Sequence, residues 1–127
     1  MNENEIAREI VDAAFKIHST LGPGLLESAY ETVLAYELRK RGLAVVLQQP
    51  VSVNYEELTI EVGYRIDMIV DDKVIVELKS VERTAPVHKK QLLTYLRLAD
   101  KRLGLLINFG SALIKNGITR VVNQLEE

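Results

Sequence analysis

Tyr64-Arg65-Ile66-Asp67-Met68-Ile69-Val70 and Val74-Ile75-Val76-Glu77-Leu78-Lys79-Ser80 flank the short segment Asp71-Asp72-Lys73. Both flanks are rich in β-branched residues and read as the two strands of a hairpin. A two-residue loop at Asp71-Asp72 would oppose Val70 to Lys73, Asp67 to Val76 and Ile66 to Glu77, mixing charged and apolar residues on both faces. A three-residue loop pairs Val70 with Val74, Met68 with Val76 and Ile66 with Leu78 on one apolar face. It sets Ile69 against Ile75, Asp67 against Glu77 and Arg65 against Lys79 on the other. One residue of slip exchanges the faces, so the pattern selects the three-residue loop, expected as a type I turn ending in a left-handed residue.

In that register Asp67 and Glu77 are direct cross-strand neighbours, with Cβ atoms about 4.5–5.5 Å apart. Two carboxylates at this spacing repel each other unless a cation lies between them. With the carbonyl of Leu78 they offer hard oxygen ligands suited to Mg²⁺ or Mn²⁺. Such an ion lowers the pKa of a bound water, orients it against a phosphodiester and offsets charge growing on the phosphorus oxygens. Lys79, two residues beyond Glu77, would position or deprotonate that water. Glu-x-Lys is also common on exposed strands, where such charges are simply solvated. The directly opposed Asp67, among apolar neighbours, favours a site over a wet face. Arg65 opposite Lys79 is a like-charge pair, relieved if each finds a carboxylate or phosphate.

Outward from the hairpin, Ile6, Ile10, Ala13, Ala14 and Ile17 recur at steps of three and four, predicting an amphipathic helix from Asn4 to about Thr20. Leu21-Gly22-Pro23-Gly24 breaks it and reads as a tight turn. A second helix carries Leu26, Tyr30, Val33, Leu34 and Leu38 to Arg41, with Gly42 as its C-terminal stop. Lys40 and Arg41 suit the negative end of its dipole. Four β-rich stretches follow: 44–47, 51–55, 58–70 and 74–80, with Pro50 marking a bulge or an edge. A third helix is expected after Pro86, carrying Gln91, Leu92, Tyr95, Leu96 and Leu98. Leu103 to Phe109 reads as a buried strand and Gly117 to Val122 as the last one.

The chain has 127 residues, 47% of them hydrophobic and 27% charged, which fits one α/β domain over 1–127. There is no cysteine, so disulfides and thiolate chemistry are excluded and any metal must sit on oxygen or imidazole. The formal net charge of −2 argues against a protein that coats nucleic acid non-specifically. The acidic opening Met1-Asn2-Glu3-Asn4-Glu5 is unlike a signal peptide, and no apolar run reaches the length of a membrane span. The expected location is the cytoplasm, with no membrane partner. His18 and His88 are the only histidines, and neither is assigned as a ligand. Lys89, Lys90, Arg97, Lys101 and Arg102 cluster near the third helix and, with Arg83, offer a phosphate-binding rim; a solvated helix face explains them nearly as well.

Gly24-Leu25-Leu26-Glu27-Ser28-Ala29-Tyr30 resembles the motif that gives the GxxExxY protein family its name. The likeness runs on through Tyr36-Glu37-Leu38, Gly63-x-Arg65-x-Asp67, Val76-Glu77-Leu78-Lys79, Gln91-x-x-x-Tyr95, Leu105-Leu106-Ile107-Asn108-Phe109-Gly110 and Arg120-Val121-Val122-Asn123. That family resembles a small RecB-like branch of the PD-(D/E)xK nuclease superfamily. The resemblance implies a restriction-endonuclease-like core, a mixed β-sheet flanked by helices in the order α-α-β-β-β-α-β-β. It implies Asp67 and Glu77 as metal ligands, Lys79 as the catalytic lysine, and Glu27 as the helix acid reaching the metal directly or through water. Gln91 and Tyr95 resemble the helix pair that organises the site and contacts nucleic acid. Ile66 stands where the superfamily name has proline, a departure that costs the assignment little. Read from spacing alone, Glu27 with Tyr30 and Gln91 with Tyr95 each share a helix face, while an isolated tyrosine is by default a core residue with a satisfied hydroxyl.

The leading expectation is therefore a nuclease that uses Mg²⁺ or Mn²⁺ to hydrolyse DNA or RNA, with Arg65, Arg83, Lys89 and Lys90 as nucleic-acid contacts. Its small surface leaves a homodimer or a partner protein to complete the grip. The alternative is a catalytically silent nucleic-acid-binding or protein-interaction module on the same fold; the intact set Glu27, Asp67, Glu77, Lys79 and Gln91 argues against it. A hydrolase of small phosphoesters is a third class, without support from any nucleotide-binding loop.

Overall fold

The structure is a computed structural model and describes residues 1–61 and 63–126. The first helix, α1 (Glu3–Leu21), begins at a reciprocal cap: Asn2 Oδ1 accepts the Glu5 N–H at 2.8 Å and Glu5 Oε1 accepts the Asn2 N–H at 3.0 Å. It ends where Gly22 turns left-handed, with φ 75°. The second helix, α2 (Glu27–Lys40), starts later than its apolar pattern suggests. Leu26 precedes it and is 78% exposed instead of joining the buried stripe. Its end is a Schellman turn: Gly42 has φ 86°, the Leu43 N–H reaches the Leu38 carbonyl and the Gly42 N–H reaches Arg39. Arg41 bridges back to Asp12 of α1 at 2.8 Å, and Lys16 of α1 pairs with Glu37 of α2 at 2.8 Å.

The strands are β1 (Val45–Pro50), β2 (Val53–Tyr55), β3 (Leu58–Ile60), β4 (Arg65–Val70) and β5 (Val74–Lys79), followed by α3 (Pro86–Leu98), β6 (Leu103–Asn108) and β7 (Ile118–Val122). Five of them form one mixed sheet in the order β1-β4-β5-β6-β7. All neighbours are antiparallel except β5 and β6, which are parallel and joined by α3 as the crossover. The core thus follows α-α-β-β-β-α-β-β, with Pro50 on an edge strand as its ring requires. Strands β2 and β3 depart from the expected run of strands. They pair only with each other as a separate hairpin, and the run 58–70 breaks between Ile60 and Arg65, with Val62 lying outside the described residues.

Helices α1 and α2 cover one face of the sheet through Ile10, Leu34, Met68, Val76 and Ile107, where the Tyr30 ring stacks on Phe109 at 4.4 Å. Helix α3 covers the other face through Leu92, Leu96, Ile69, Ile75 and Leu106. Both faces are therefore apolar, which explains why β5 is buried along nearly its whole length. The expected register holds for Val70↔Val74, Ile69↔Ile75 and Met68↔Val76. The turn differs: Asp71 and Asp72 are both left-handed (φ 49° and 55°), and the Lys73 N–H closes on the Val70 carbonyl at 3.0 Å. This primed geometry matches the strand twist, and aspartate tolerates it. Ile66 also departs from the alternation. It packs with Ile69 on the α3 face instead of with Met68, so the pleat changes sides at Asp67.

Candidate active site

Asp67 and Glu77 sit just past the last paired residues of β4 and β5, and there side chains replace the ladder. The Asp67 N–H donates to Glu77 Oε1 at 3.1 Å, and the Leu78 N–H donates to Asp67 Oδ2 at 2.9 Å. The two carboxylates are brought together as the pattern predicts, through side chain to backbone bonds. Since the N–H and C=O of one strand residue point the same way, the Leu78 carbonyl also faces the gap toward β4. The expected Arg65–Lys79 opposition does not form. The β4–β5 ladder ends at Met68↔Val76, while Arg65 pairs with Pro50 of β1 and its Nη1 reaches the Gln48 carbonyl at 3.4 Å.

Glu77 is 7% exposed between Val76 and Leu78 of the central strand. Burial, then the charge of Asp67, pushes its carboxyl up to about 8, while the Asp67 N–H and Lys79 act in the opposite sense. Lys79, half-buried at the end of β5, is anchored through its carbonyl, which accepts the Phe109 N–H at 2.9 Å. The next residue ties the strand to the glycine turn, because Ser80 Oγ donates to the Leu25 carbonyl at 2.5 Å. Tyr30 holds the same turn from inside: its hydroxyl donates to the Gly22 carbonyl and accepts the Leu25 N–H at 3.1 Å. Tyr30 is thus a core residue with a satisfied hydroxyl, and Glu27 stands exposed at the start of α2 beside the turn.

Three residues without a role in the sequence reading join this region. Glu31, one helical turn after Glu27, has its carboxyl raised by burial and by the charges of Asp67 and Glu27, against the hydrogen bond from Gln48. Gln48 Nε2 donates to Glu31 Oε2 at 2.8 Å and reaches Asp67 Oδ1 at 3.4 Å. Asn108, 2% exposed, sits beside Lys79 in the parallel pair. Its amide bonds both the Val81 carbonyl (2.9 Å) and the Val81 N–H (3.0 Å), fixing the chain that leaves Lys79. The spacing Glu27–Glu31 was the available signal for the first. Gln48 and Asn108 carried no spacing signal.

On α3, Gln91 Nε2 donates to the Tyr95 hydroxyl at 3.1 Å. Burial raises the Tyr95 hydroxyl above its ordinary range, and the charges of Glu77 and Asp67 add to this, against the hydrogen bond with Gln91. Lys89 and Lys90 are exposed in the first turns of α3, and Arg83 lines a polar cleft with Thr84, Ser111 and Asn116. Lys101 and Arg102 fall at the other end of the sheet and do not join a rim around the carboxylates. Lys101 pairs with Asp72 of the hairpin turn at 2.9 Å, and Arg102 reaches Gln124. The reason is topological: α3 runs back along β5, so its C-terminal end returns to the start of the strand, where Val74 lies beside Leu103. His18 Nε2 bonds the Ser111 carbonyl and His88 Nδ1 accepts the Ala85 N–H, both structural roles. A cleft of about 840 Å³ opens on the α3 face between Val46, Pro50, Ile66, Ile69 and Leu98, and neither Asp67 nor Glu77 lines it.

Among the described residues no three of His, Cys, Asp and Glu converge closely enough to hold a metal by themselves. A buried carboxylate raised by its neighbour still suits a cation, because a cation stabilises the charged form of both. Mg²⁺ is commonly held by one or two carboxylates with water and phosphate oxygens supplying the rest, and Asp67, Glu77 and the Leu78 carbonyl fit that pattern. No helix among the described residues is long and apolar enough to cross a membrane. No curated protein matches the chain significantly, and no solved structure does. The model of the PD-(D/E)XK nuclease superfamily, whose members generally use divalent metal ions, matches residues 4–121. With the five-stranded mixed sheet between helices and the carboxylate pair followed by Lys79 at the end of its central strand, the chain belongs to the PD-(D/E)XK nuclease superfamily.

Proposed function

We propose that this chain is a divalent-metal-dependent nuclease of the GxxExxY branch that hydrolyses phosphodiester bonds in DNA or RNA. The observation that carries the reading is the pair Asp67 and Glu77, locked to each other's strands where the ladder opens, with Lys79 beside them. Asp67, Glu77 and the Leu78 carbonyl would hold Mg²⁺ or Mn²⁺, with Glu27, exposed at the start of α2, as the helix acid acting directly or through water. When bound, the ion supplies positive charge against the charge that develops on the phosphate oxygens. Lys79 orients the attacking water and takes up or shares its proton. Gln91 and Tyr95 face the same carboxylates from α3 and contact the substrate backbone.

Arg65, Arg83, Lys89 and Lys90 provide the phosphate contacts. With a net charge of −2 these contacts are few, so binding is salt-sensitive but weak, and a homodimer or a partner protein completes the grip. The lack of a third converging carboxylate among the described residues favours one competing reading, a silent nucleic-acid-binding or protein-interaction module on the same fold. Calorimetric titration of Mn²⁺ and Mg²⁺ into the wild type, Asp67→Ala and Glu77→Ala separates the two, with the same samples assayed on labelled single- and double-stranded DNA and RNA. The nuclease reading expects metal binding and cleavage by the wild type and neither by the folded variants. A wild type that binds no divalent ion and cuts nothing leaves the silent module.

A further inference from the structure

Gln48 holds a backbone conformation that no other described strand residue has. Of the non-glycine residues with positive φ, Glu56, Asp71, Asp72, Asp100 and Gln124 lie in turns or bends, whereas Gln48, at φ 52°, lies inside β1. Left-handed backbone crowds Cβ against the following carbonyl, so a compensating interaction is expected at this position. Regular alternation along β1 would send Gln48 to the α3 face with Val46, which lines the cleft there. The left-handed residue breaks the alternation. The Gln48 amide instead meets Glu31 of α2, and Gln49 takes the place beside Val46 in the cleft. Strand β4 changes sides at the same level, since Ile66 and Ile69, three residues apart, share the α3 face around Asp67. Leu47↔Met68 and Gln49↔Ile66 bracket Gln48 and Asp67, so the irregularity in each strand faces the other.

We propose that Gln48 is a positioning residue for the cation site. Its amide ties Asp67 Oδ1 to Glu31, while the Leu78 N–H holds Oδ2, so the Asp67 carboxylate is oriented through both oxygens. The same amide links Glu31 of α2 to Asp67 at one remove, without making Glu31 a third ligand. This inference rests on the metal-dependent reading above. Partners of this kind typically contribute 10–100-fold to metal affinity.

The test is Mn²⁺ calorimetry on the full chain, comparing the wild type with Gln48→Gly, Gln48→Asn, Glu31→Ala and the double variant Gln48→Gly/Glu31→Ala. Glycine accepts the left-handed backbone and removes the whole, exposed side chain, so the metal-free melting temperature of Gln48→Gly is expected to equal or exceed that of the wild type. Its Kd for Mn²⁺ is expected to rise about 10–100-fold. Asparagine also tolerates this backbone but falls one methylene short of Glu31, and the same loss is expected. The double variant is expected to be no weaker than the weaker single one, because both act through one bridge. Wild-type Mn²⁺ affinity in Gln48→Gly or Gln48→Asn, while Asp67→Ala does not bind, overturns the proposal and leaves the nuclease reading standing. A wild type that binds no Mn²⁺ overturns both.

Discussion

Glu77 Oε1 accepts the backbone N–H of Asp67 at 3.1 Å, so the buried carboxylate of β5 is fastened to the strand that carries its like-charged neighbour. The hydrogen bond keeps the two acids together although their charges oppose it. Either a proton or a cation relieves the repulsion, and the two outcomes differ in their dependence on pH.

In the metal-free protein the Glu77 carboxyl lies at about 8 against an ordinary 4.5, through burial and the charge of Asp67. Across that window the folded chain keeps a proton that the unfolded chain has released. Stability therefore falls as pH rises from about 4.5 to about 8 and levels off above. The total is on the order of 3–5 kcal/mol, and Glu31, raised for similar reasons, adds in the same direction. Urea unfolding between pH 5 and pH 8.5 measures the slope. Glu77→Gln is expected to flatten most of it and to stabilise the metal-free chain at pH 8, and saturating Mn²⁺ is expected to do the same to the wild type. A Glu77→Gln profile parallel to the wild type would falsify this account.

Asn108→Ala is expected to cost about 2–4 kcal/mol. It removes the partner of the Val81 N–H and carbonyl and of the Gly110 N–H at once, and buried polar groups left unpaired cost about 1–3 kcal/mol each. The neighbourhood cannot close over the loss. A Cβ at Gly110 would already lie 2.3 Å from the Val81 carbonyl oxygen, so the two backbone segments are in direct contact. Denaturant midpoints check the stability. Because the amide fixes the chain just after Lys79, kcat is expected to fall further than metal affinity, and equal losses in both would argue against that role.

Tyr30→Phe keeps the stack on Phe109 and deletes only the hydroxyl that bonds Gly22 and Leu25. The expected loss is about 1–2 kcal/mol. Hydrogen exchange at the Leu25 amide is expected to speed up well beyond the global change, since the turn loses its internal anchor while the helices keep theirs. Unchanged protection there would show that Ser80 alone holds the turn.

The parts legible from sequence were those governed by local periodicity. The stripes of α1 and α2, the glycine that ends α2 and the three-residue spacing of the β4–β5 hairpin each follow from residues within about ten positions of one another. That Asp67 and Glu77 meet was legible for the same reason: one hairpin carries both, with Lys79 two residues on. The turn type was misread because Asp71 and Asp72 take a left-handed conformation usually supplied by Asn-Gly or Asp-Gly. Ile66 was assigned to the wrong face because strict alternation does not anticipate a change of sides within a strand.

Composition and pattern alone determined the α/β class, the hairpin register and the identity of the acidic pair, since each depends on neighbours along the chain. The tertiary structure alone decided which distant groups meet that pair. Gln48 and Glu31 arrive from an edge strand and a helix 17 residues apart in sequence, and Asn108 arrives through the parallel pairing of β5 and β6. Lys101 and Arg102 were carried away because the crossover helix reverses direction before they occur. A linear pattern records what one element buries, but the places where the ends of separate elements meet depend on how sheet and helices pack together.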